Sequence, residues 1–109
     1  MVHRSHRSAE EREIVSQLHQ VLNQPGLMRA TPVRTQRRCG KPRCRCADGK
    51  HLHRSLYVSQ SRRGRPYMRC VPKQWEERVR GWIERHQCVR ALLERLSQLY
   101  WRRLEEREE

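Results

Sequence analysis

The feature that most constrains this 109-residue chain is a group of three cysteines within eight residues, Cys39, Cys44 and Cys46, closely followed by histidines at positions 51 and 53. Thiolates this close together cannot all pair with one another. The chain has no phenylalanine and is only 35% apolar, so its core must be small. Domains with little core usually need a metal, a disulfide or a partner chain for stability. The cluster therefore predicts a metal-stabilised fold.

The cysteine spacing predicts a structural zinc site. Where thiols stay reduced, clustered cysteines are typical of metal ligands rather than of disulfides. Structural Zn²⁺ takes four thiolate or imidazole ligands in a tetrahedron, and Gly40 and Pro42 allow the loop to fold around such an ion. We predict that Cys39, Cys44 and Cys46 are three of the ligands. The spacing leaves three candidates for the fourth, His51, His53 and Cys70. The alternatives are a redox or iron–sulfur role and reduced cysteines without metal.

Positive charge is concentrated around the same cysteines. Residues 29–73 contain fourteen of the 25 Lys and Arg residues but only one of the 12 acidic residues, Asp48. Nucleic acid is the partner that such a segment favours, because a polyphosphate rewards many simultaneous basic contacts. A single carboxylate offers little for general-base chemistry beside a zinc ion, so we predict that the protein is not an enzyme.

Ten basic residues around the cysteines and on the following segment are the predicted nucleic-acid contacts. They are Arg34, Arg37, Arg38, Lys41, Arg43, Arg45, Arg62, Arg63, Arg65 and Arg69. If the zinc loop packs on the neighbouring strands, these residues form one continuous cationic face. Tyr57 and Tyr67 either stack on bases, as in single-strand binders, or pack as cross-strand core partners.

The remaining patterns predict an α+β fold. Ser8 and Glu11 form a capping box that starts a helix over about 9–23. Residues 32–38 are expected as a strand, and 55–60 and 66–71 as a hairpin in which Gly64 takes a positive φ. From 72 to about 106 the pattern is helical. The prediction is an N-terminal helix, a small zinc-stapled loop with a two- to three-stranded antiparallel sheet, and a long coiled-coil-like C-terminal helix.

Apolar residues recur along this last helix in steps of four and three, as in a coiled coil. The predicted seam consists of Trp75, Val79, Trp82, His86, Val89, Leu93, Leu96 and Tyr100. Ile83, Leu92 and Leu99 are expected to broaden this apolar stripe. We expect both tryptophans of the seam to be core residues. The first helix is too short to cover this length, so the segment 92–104 is predicted to need another partner. That partner is a second copy of the chain or a larger protein effector.

The chain is expected to form a single domain in three parts. Residues 1–30 are the N-terminal helix and linker, 31–71 the basic zinc-loop and hairpin module, and 72–109 the long helix. No run approaches the roughly 18 apolar residues of a membrane span, and the N-terminus has no apolar signal region. We therefore expect no membrane partner and a cytoplasmic protein, with nucleoid association left open.

The order of these motifs resembles a family of small bacterial and phage proteins with a zinc-finger-like CGKPxCxCA signature. The resemblance rests on Cys39 to Gly49, Leu52-His53, Leu56-Tyr57-Val58, Arg62-Arg63-Gly64 and Val71-Pro72-Lys73, and it extends over about residues 32–105. It implies the order strand, metal loop, hairpin and helix, with His53 as the fourth ligand. Its mobile-element setting implies DNA rather than RNA, in an accessory role to a larger enzyme. The competing hypothesis is a protein-interaction or inhibitory subunit that uses the C-terminal helical seam.

Overall fold

The computed structural model describes residues 8–37 and 40–107. In these residues, one helix precedes three strands and a second helix follows them along the chain, which confirms the predicted α+β class. The elements are α1 (Ala9–Leu22), β1 (Thr31–Arg37), β2 (His53–Arg62), β3 (Arg65–Val71) and α2 (Glu76–Glu106), with short 3-10 helices at Arg45–Asp48 and Lys73–Trp75. Neither helix in the described ranges is long and apolar enough to cross a membrane.

The capping box at the start of α1 forms as the sequence predicts. The backbone N–H of Glu11 donates to Oγ of Ser8 at 3.1 Å, which satisfies one of the N–H groups left over in the first turn. The predicted apolar stripe supplies the buried side chains Ile14 and Leu18. The helix ends at Leu22, just before the Asn-Gln-Pro-Gly segment that the sequence identifies as its stop.

The three strands form an antiparallel sheet in the order β1-β2-β3. Val33 pairs with Tyr57, and Leu56 pairs with Val71. Successive side chains of a strand point to opposite faces of the sheet. We call the face that carries Leu56 and Val58 the inner face, and the face that carries His53 and Tyr57 the outer face.

The hairpin between β2 and β3 is tighter than predicted. β2 ends at Arg62 and β3 begins at Arg65, so only Arg63 and Gly64 connect the two strands. The five residues between the predicted strands, 61–65, therefore do not all belong to the turn. The φ angles of Arg63 and Gly64 are 53° and 78°, and positive φ at both central residues is the geometry that matches the twist of a two-residue hairpin. The positive φ expected of Gly64 is confirmed, but Arg63 shares it.

The chain forms two compact units, and α2 contributes to both. One unit spans residues 28–83 and has a core of Leu56, Val71, Val79 and Ile83. Met28, Ala30, Val58 and Trp82 pack against these four side chains. Leu56 is only 2% exposed, and burial of a side chain of this size contributes roughly 1.5–3 kcal/mol.

The second unit joins α1 to the distal part of α2, from Glu84 onwards. Its core contains Ile14, Leu18 and Leu92. Glu11, 3% exposed, accepts hydrogen bonds from the Tyr100 hydroxyl at 2.8 Å and from Arg103 at 2.7 Å. The hydrogen bond to Glu11 raises the pKa of the Arg103 guanidinium above its usual value.

These contacts cover part of the segment 92–104, for which the sequence predicts another partner. α1 packs against the distal half of α2, where Leu92 is buried with Ile14 and Leu18. The sheet covers the first half through Val79 and Ile83. The length of α2 alone therefore does not require a second chain.

The predicted 4-3 seam coincides with the buried stripe of α2 only at Val79. The other buried side chains of α2 are Ile83, Leu92 and Leu99, the three residues predicted to broaden the stripe. The seam residues Trp75, Leu93 and Tyr100 are 41%, 51% and 47% exposed. Each half of α2 packs within its own unit. The residues that are buried in each half are therefore set by the elements that this half contacts, and they do not follow one continuous 4-3 repeat. Of the two tryptophans expected in the core, only Trp82 packs against it.

Candidate metal centre and basic surface

The loop between β1 and β2 is folded by short-range backbone hydrogen bonds. Cys44 N–H donates to the carbonyl of Lys41 at 3.1 Å, and Ala47 N–H donates to that of Cys44 at 3.0 Å. A 3-10 helix over Arg45–Asp48 follows and ends at Gly49, whose φ of 76° is easily reached only without a Cβ. The chain therefore bends between Cys44 and Cys46, as convergence of the two sulfurs requires.

This bend brings the two thiols to the start of β2. Cys44 Sγ lies 3.1 Å from Nε2 of His53, and the ligand atoms of Cys44, Cys46 and His53 all lie within 4.8 Å of one another. Cys46 is 1% exposed, whereas His53 is exposed. Two atoms bonded to one zinc ion at 2.0–2.3 Å are separated by at most about 4.6 Å, so small side-chain adjustments would place all three around one ion. The group could hold a metal ion.

Two other candidate ligands, His51 and Cys70, do not join this group. Cys39, the remaining predicted thiolate ligand, and Arg38 lie outside the described residues. His51 Nδ1 lies 2.9 Å from Oδ2 of Asp48. Cys70 is exposed on β3 and pairs with Tyr57, four residues along β2 from His53. That separation is about 13 Å at 3.3 Å per residue, too far for a shared ion.

Asp48 organises the turn that leads to His53. Its Oδ1 accepts hydrogen bonds from the backbone N–H groups of Lys50 at 2.7 Å and His51 at 3.1 Å. Asp is common in turns because its side chain can bind the backbone two residues further on. The Asp-Gly pair at 48–49 was the available sequence signal for this role. The lone carboxylate of the basic segment is therefore used in folding the loop.

The strand arginines lie on both faces of the sheet, rather than on the single face that we expected. Arg34 pairs with Leu56, and Arg69 pairs with Val58, so both are on the inner face. Arg62 is four residues from Val58 and pairs with Arg65, which places both on that face. Arg37 pairs with His53 on the outer face. Three further predicted contacts lie in the metal loop, and one lies in the hairpin turn: Lys41, Arg43, Arg45 and Arg63.

These cations differ in how far their charge is compensated. Arg34 forms a 3.0 Å ion pair with Glu76, which compensates its charge. Within the described residues, Arg62, Arg65 and Arg69 form no ion pair with a carboxylate. Arg37 donates to the hydroxyl of Tyr57 at 2.9 Å, an interaction that leaves its charge intact.

Both strand tyrosines are half-buried and covered by arginine. The Arg37 guanidinium carbon lies 5.4 Å from the ring centroid of Tyr57. For Tyr67 the corresponding distances are 3.7 Å to Arg62 and 4.8 Å to Arg69. Neither ring belongs to the core clusters, so the two tyrosines are not the cross-strand core partners of the second interpretation.

A family model described as a domain of unknown function, DUF6788, matches residues 8–81. The chain belongs to the DUF6788 family. The DUF6788 match includes α1, the metal loop, all three strands and the first residues of α2. It therefore contains the Cys44, Cys46 and His53 group but not the distal part of α2. No curated protein and no solved structure matches the chain.

Proposed function

We propose that this protein is a non-enzymatic module, stabilised by a structural zinc ion, that binds nucleic acid through the basic residues of its loop and hairpin. The observation that carries the proposal is the convergence of Cys44, Cys46 and His53 inside the segment that holds the whole positive surplus of the chain. The ion would fix the loop to the sheet, with Cys39 supplying a fourth ligand.

The chemistry of the donor set supports zinc. Two thiolates and one imidazole are ligands that Zn²⁺ prefers, and structural zinc sites contribute directly to folding. The loop 40–52 supplies one buried residue, Cys46, so it has almost no apolar core of its own. A metal ion is the simplest source of stability for such a loop.

The charge distribution supports nucleic acid as the partner. Arg62, Arg65 and Arg69 form no carboxylate ion pair among the described residues, and the formal net charge of the chain is +13. Arginine binds phosphate through a planar fork of N–H donors and also stacks on bases. The resemblance to bacterial and phage proteins favours DNA over RNA and an accessory role beside a mobile-element enzyme.

Fluorescence anisotropy with labelled duplex and single-stranded DNA, repeated over a series of salt concentrations, tests this proposal. Displacement of condensed counterions makes log affinity fall linearly with log salt. We expect such a dependence, and we expect metal removal by a chelator to weaken binding by loosening the loop. The absence of nucleic-acid binding at low salt, or an affinity insensitive to salt, would contradict the proposal.

A second candidate, a protein-interaction subunit, is favoured by exposed apolar residues at the end of α2. Leu93, Tyr100, Trp101 and Leu104 are between 47% and 69% exposed. A second copy of the chain or a protein effector would bury them. Sedimentation of the pure protein with and without nucleic acid separates the two functions. A dimer that forms without nucleic acid and is lost in Leu104→Glu would support this surface as an interface.

A further inference from the structure

The inner face of the sheet carries a cavity of about 350 Å³ at its hairpin end. Met28, Ala30 and Val58 form an apolar wall that packs against the core cluster. Arg62, Tyr67 and Arg69 continue the lining from there, since Arg69 is the cross-strand partner of Val58, and Arg29 also lines the cavity. Among the described residues, no acidic side chain lines it. Its volume is in the range of sites that hold small-molecule groups.

Arg62 and Arg69 in this lining are held in place by their Nε atoms. Arg62 Nε donates to Oε1 of Gln60 at 2.8 Å, and Arg69 Nε donates to the hydroxyl of Tyr67 at 2.6 Å. Gln60 is fixed in turn by a 3.1 Å bond to the carbonyl of Arg29. Among the described residues, the terminal NH₂ groups of Arg62 and Arg69 form no hydrogen bond. They are positioned donors for an anion.

A ligand that fits this lining has a flat apolar part and a negative charge. Bases stack on aromatic rings and on guanidinium planes, and phosphate takes the forked donors of arginine. A nucleotide combines both parts. A base within a duplex is already paired and stacked, so only an unpaired nucleotide can enter such a cavity.

We propose that this cavity binds one unpaired nucleotide of a single strand, with the base against Arg62 and Tyr67 and the phosphate on Arg29 and Arg69. This inference rests on the proposed function and deepens it, because it assigns strandedness to the inner face. The arginines of the loop and of the turn add contacts to the backbone of the same strand.

The test compares three labelled probes of equal length: a natural single strand, an abasic strand with the same phosphates, and a duplex. Stacking of one base contributes a factor of roughly 5 to 150 in affinity. We expect the protein to bind the natural strand more tightly than the abasic strand by about this factor. This comparison needs no variant, so it stands even where a substitution impairs folding.

Tyr67→Leu then locates the stacking site, and Met68→Leu, which replaces the next residue of β3 on the outer face, is its control. We expect Tyr67→Leu to lower affinity for the natural strand by roughly 5- to 150-fold and to leave binding of the abasic strand unchanged. Met68→Leu should leave both affinities near those of the parent protein. Circular dichroism establishes that each variant is folded.

The outcomes separate this inference from the proposed function. If the protein binds no nucleic acid, both are wrong. If natural and abasic strands bind equally, or if Met68→Leu has the effect expected of Tyr67→Leu, the cavity is not the site and general nucleic-acid binding still stands. Nucleoside monophosphate is included as a competitor. If nucleoside monophosphate competes more strongly than the unlabelled strand at equal nucleotide concentration, the cavity binds a free nucleotide and the inference is overturned.

Discussion

Cys44 Sγ lies 3.1 Å from Nε2 of His53, across the junction between the loop and the first residue of β2. The contact joins a loop with little core to the central strand of the sheet. Cys46, 1% exposed, adds a second sulfur within 4.8 Å of both atoms. The position of the loop therefore depends on a few atoms whose chemistry suits a metal ion.

Substitution of Cys46 by Ser is expected to abolish stoichiometric zinc binding and to lower the thermal midpoint. Loss of one thiolate removes a strong ligand, and binding of structural zinc is also free energy of folding. Elemental analysis and thermal unfolding measure the two effects. The matched control is Cys88→Ser, since Cys88 is exposed on α2. Retention of one zinc ion per chain by the Cys46 variant would remove this residue from the ligand set.

The identity of the histidine ligand is decided by comparing His53→Ala with His51→Ala. His51 is bonded to Asp48, whereas His53 lies against Cys44. We expect zinc affinity, measured by competition with a chelator, to fall by at least about tenfold in His53→Ala, because an imidazole ligand is lost. It should change little in His51→Ala. The reverse result would place the ion on the other side of the turn.

Neutralising Arg65 is expected to weaken nucleic-acid binding more than neutralising Arg34. Arg34 is already compensated by Glu76 at 3.0 Å, and Arg65 has no carboxylate partner among the described residues. For Arg65→Gln, the slope of log affinity against log salt should decrease by about one, as for the loss of one phosphate contact. Equal salt slopes for Arg65→Gln and Arg34→Gln would show that the ion pair with Glu76 does not decide which arginines contact the nucleic acid.

Tyr100→Phe is expected to destabilise the protein by roughly 1–2 kcal/mol, because buried Glu11 loses one donor while Arg103 remains bound. Urea unfolding measures the change. Gln98→Ala is the control: it removes an exposed 3.0 Å bond to Glu94, and we expect less than about 0.5 kcal/mol. A Tyr100 effect as small as that of the control would mean that water replaces the lost donor.

Arg63→Asn should separate stability from binding. A left-handed residue other than Gly is strained by about 1–2 kcal/mol, and Asn tolerates that conformation better than Arg. With φ at 53°, the substitution is expected to raise stability by up to about 1 kcal/mol while nucleic-acid affinity falls. Chemical unfolding and anisotropy on the same sample give both quantities. Unchanged affinity would exclude the hairpin tip from the contact surface.

The local parts of the fold were predictable because their causes lie close together in sequence. Ser8 and Glu11 marked the start of α1, and Gly64 marked the hairpin. Short spacing on one loop predicted that Cys44 and Cys46 converge, whereas the choice of His53 over His51 and Cys70 came from the family resemblance. The sheet face on which Arg37 and Arg69 lie was not predictable, since it depends on strand register. Leu92 was predicted only to broaden the apolar stripe, and its deeper burial depends on which half of α2 packs against α1.

Because α2 supplies side chains to both hydrophobic clusters, their stabilities are linked through one backbone. Among the described residues, the buried members of the distal cluster are Ile14, Leu18 and Leu92. The cluster that contains Val79 and Ile83 lies nearer the other end of the helix. We therefore expect fraying of α2 from its C-terminus to release α1 before it disturbs the sheet.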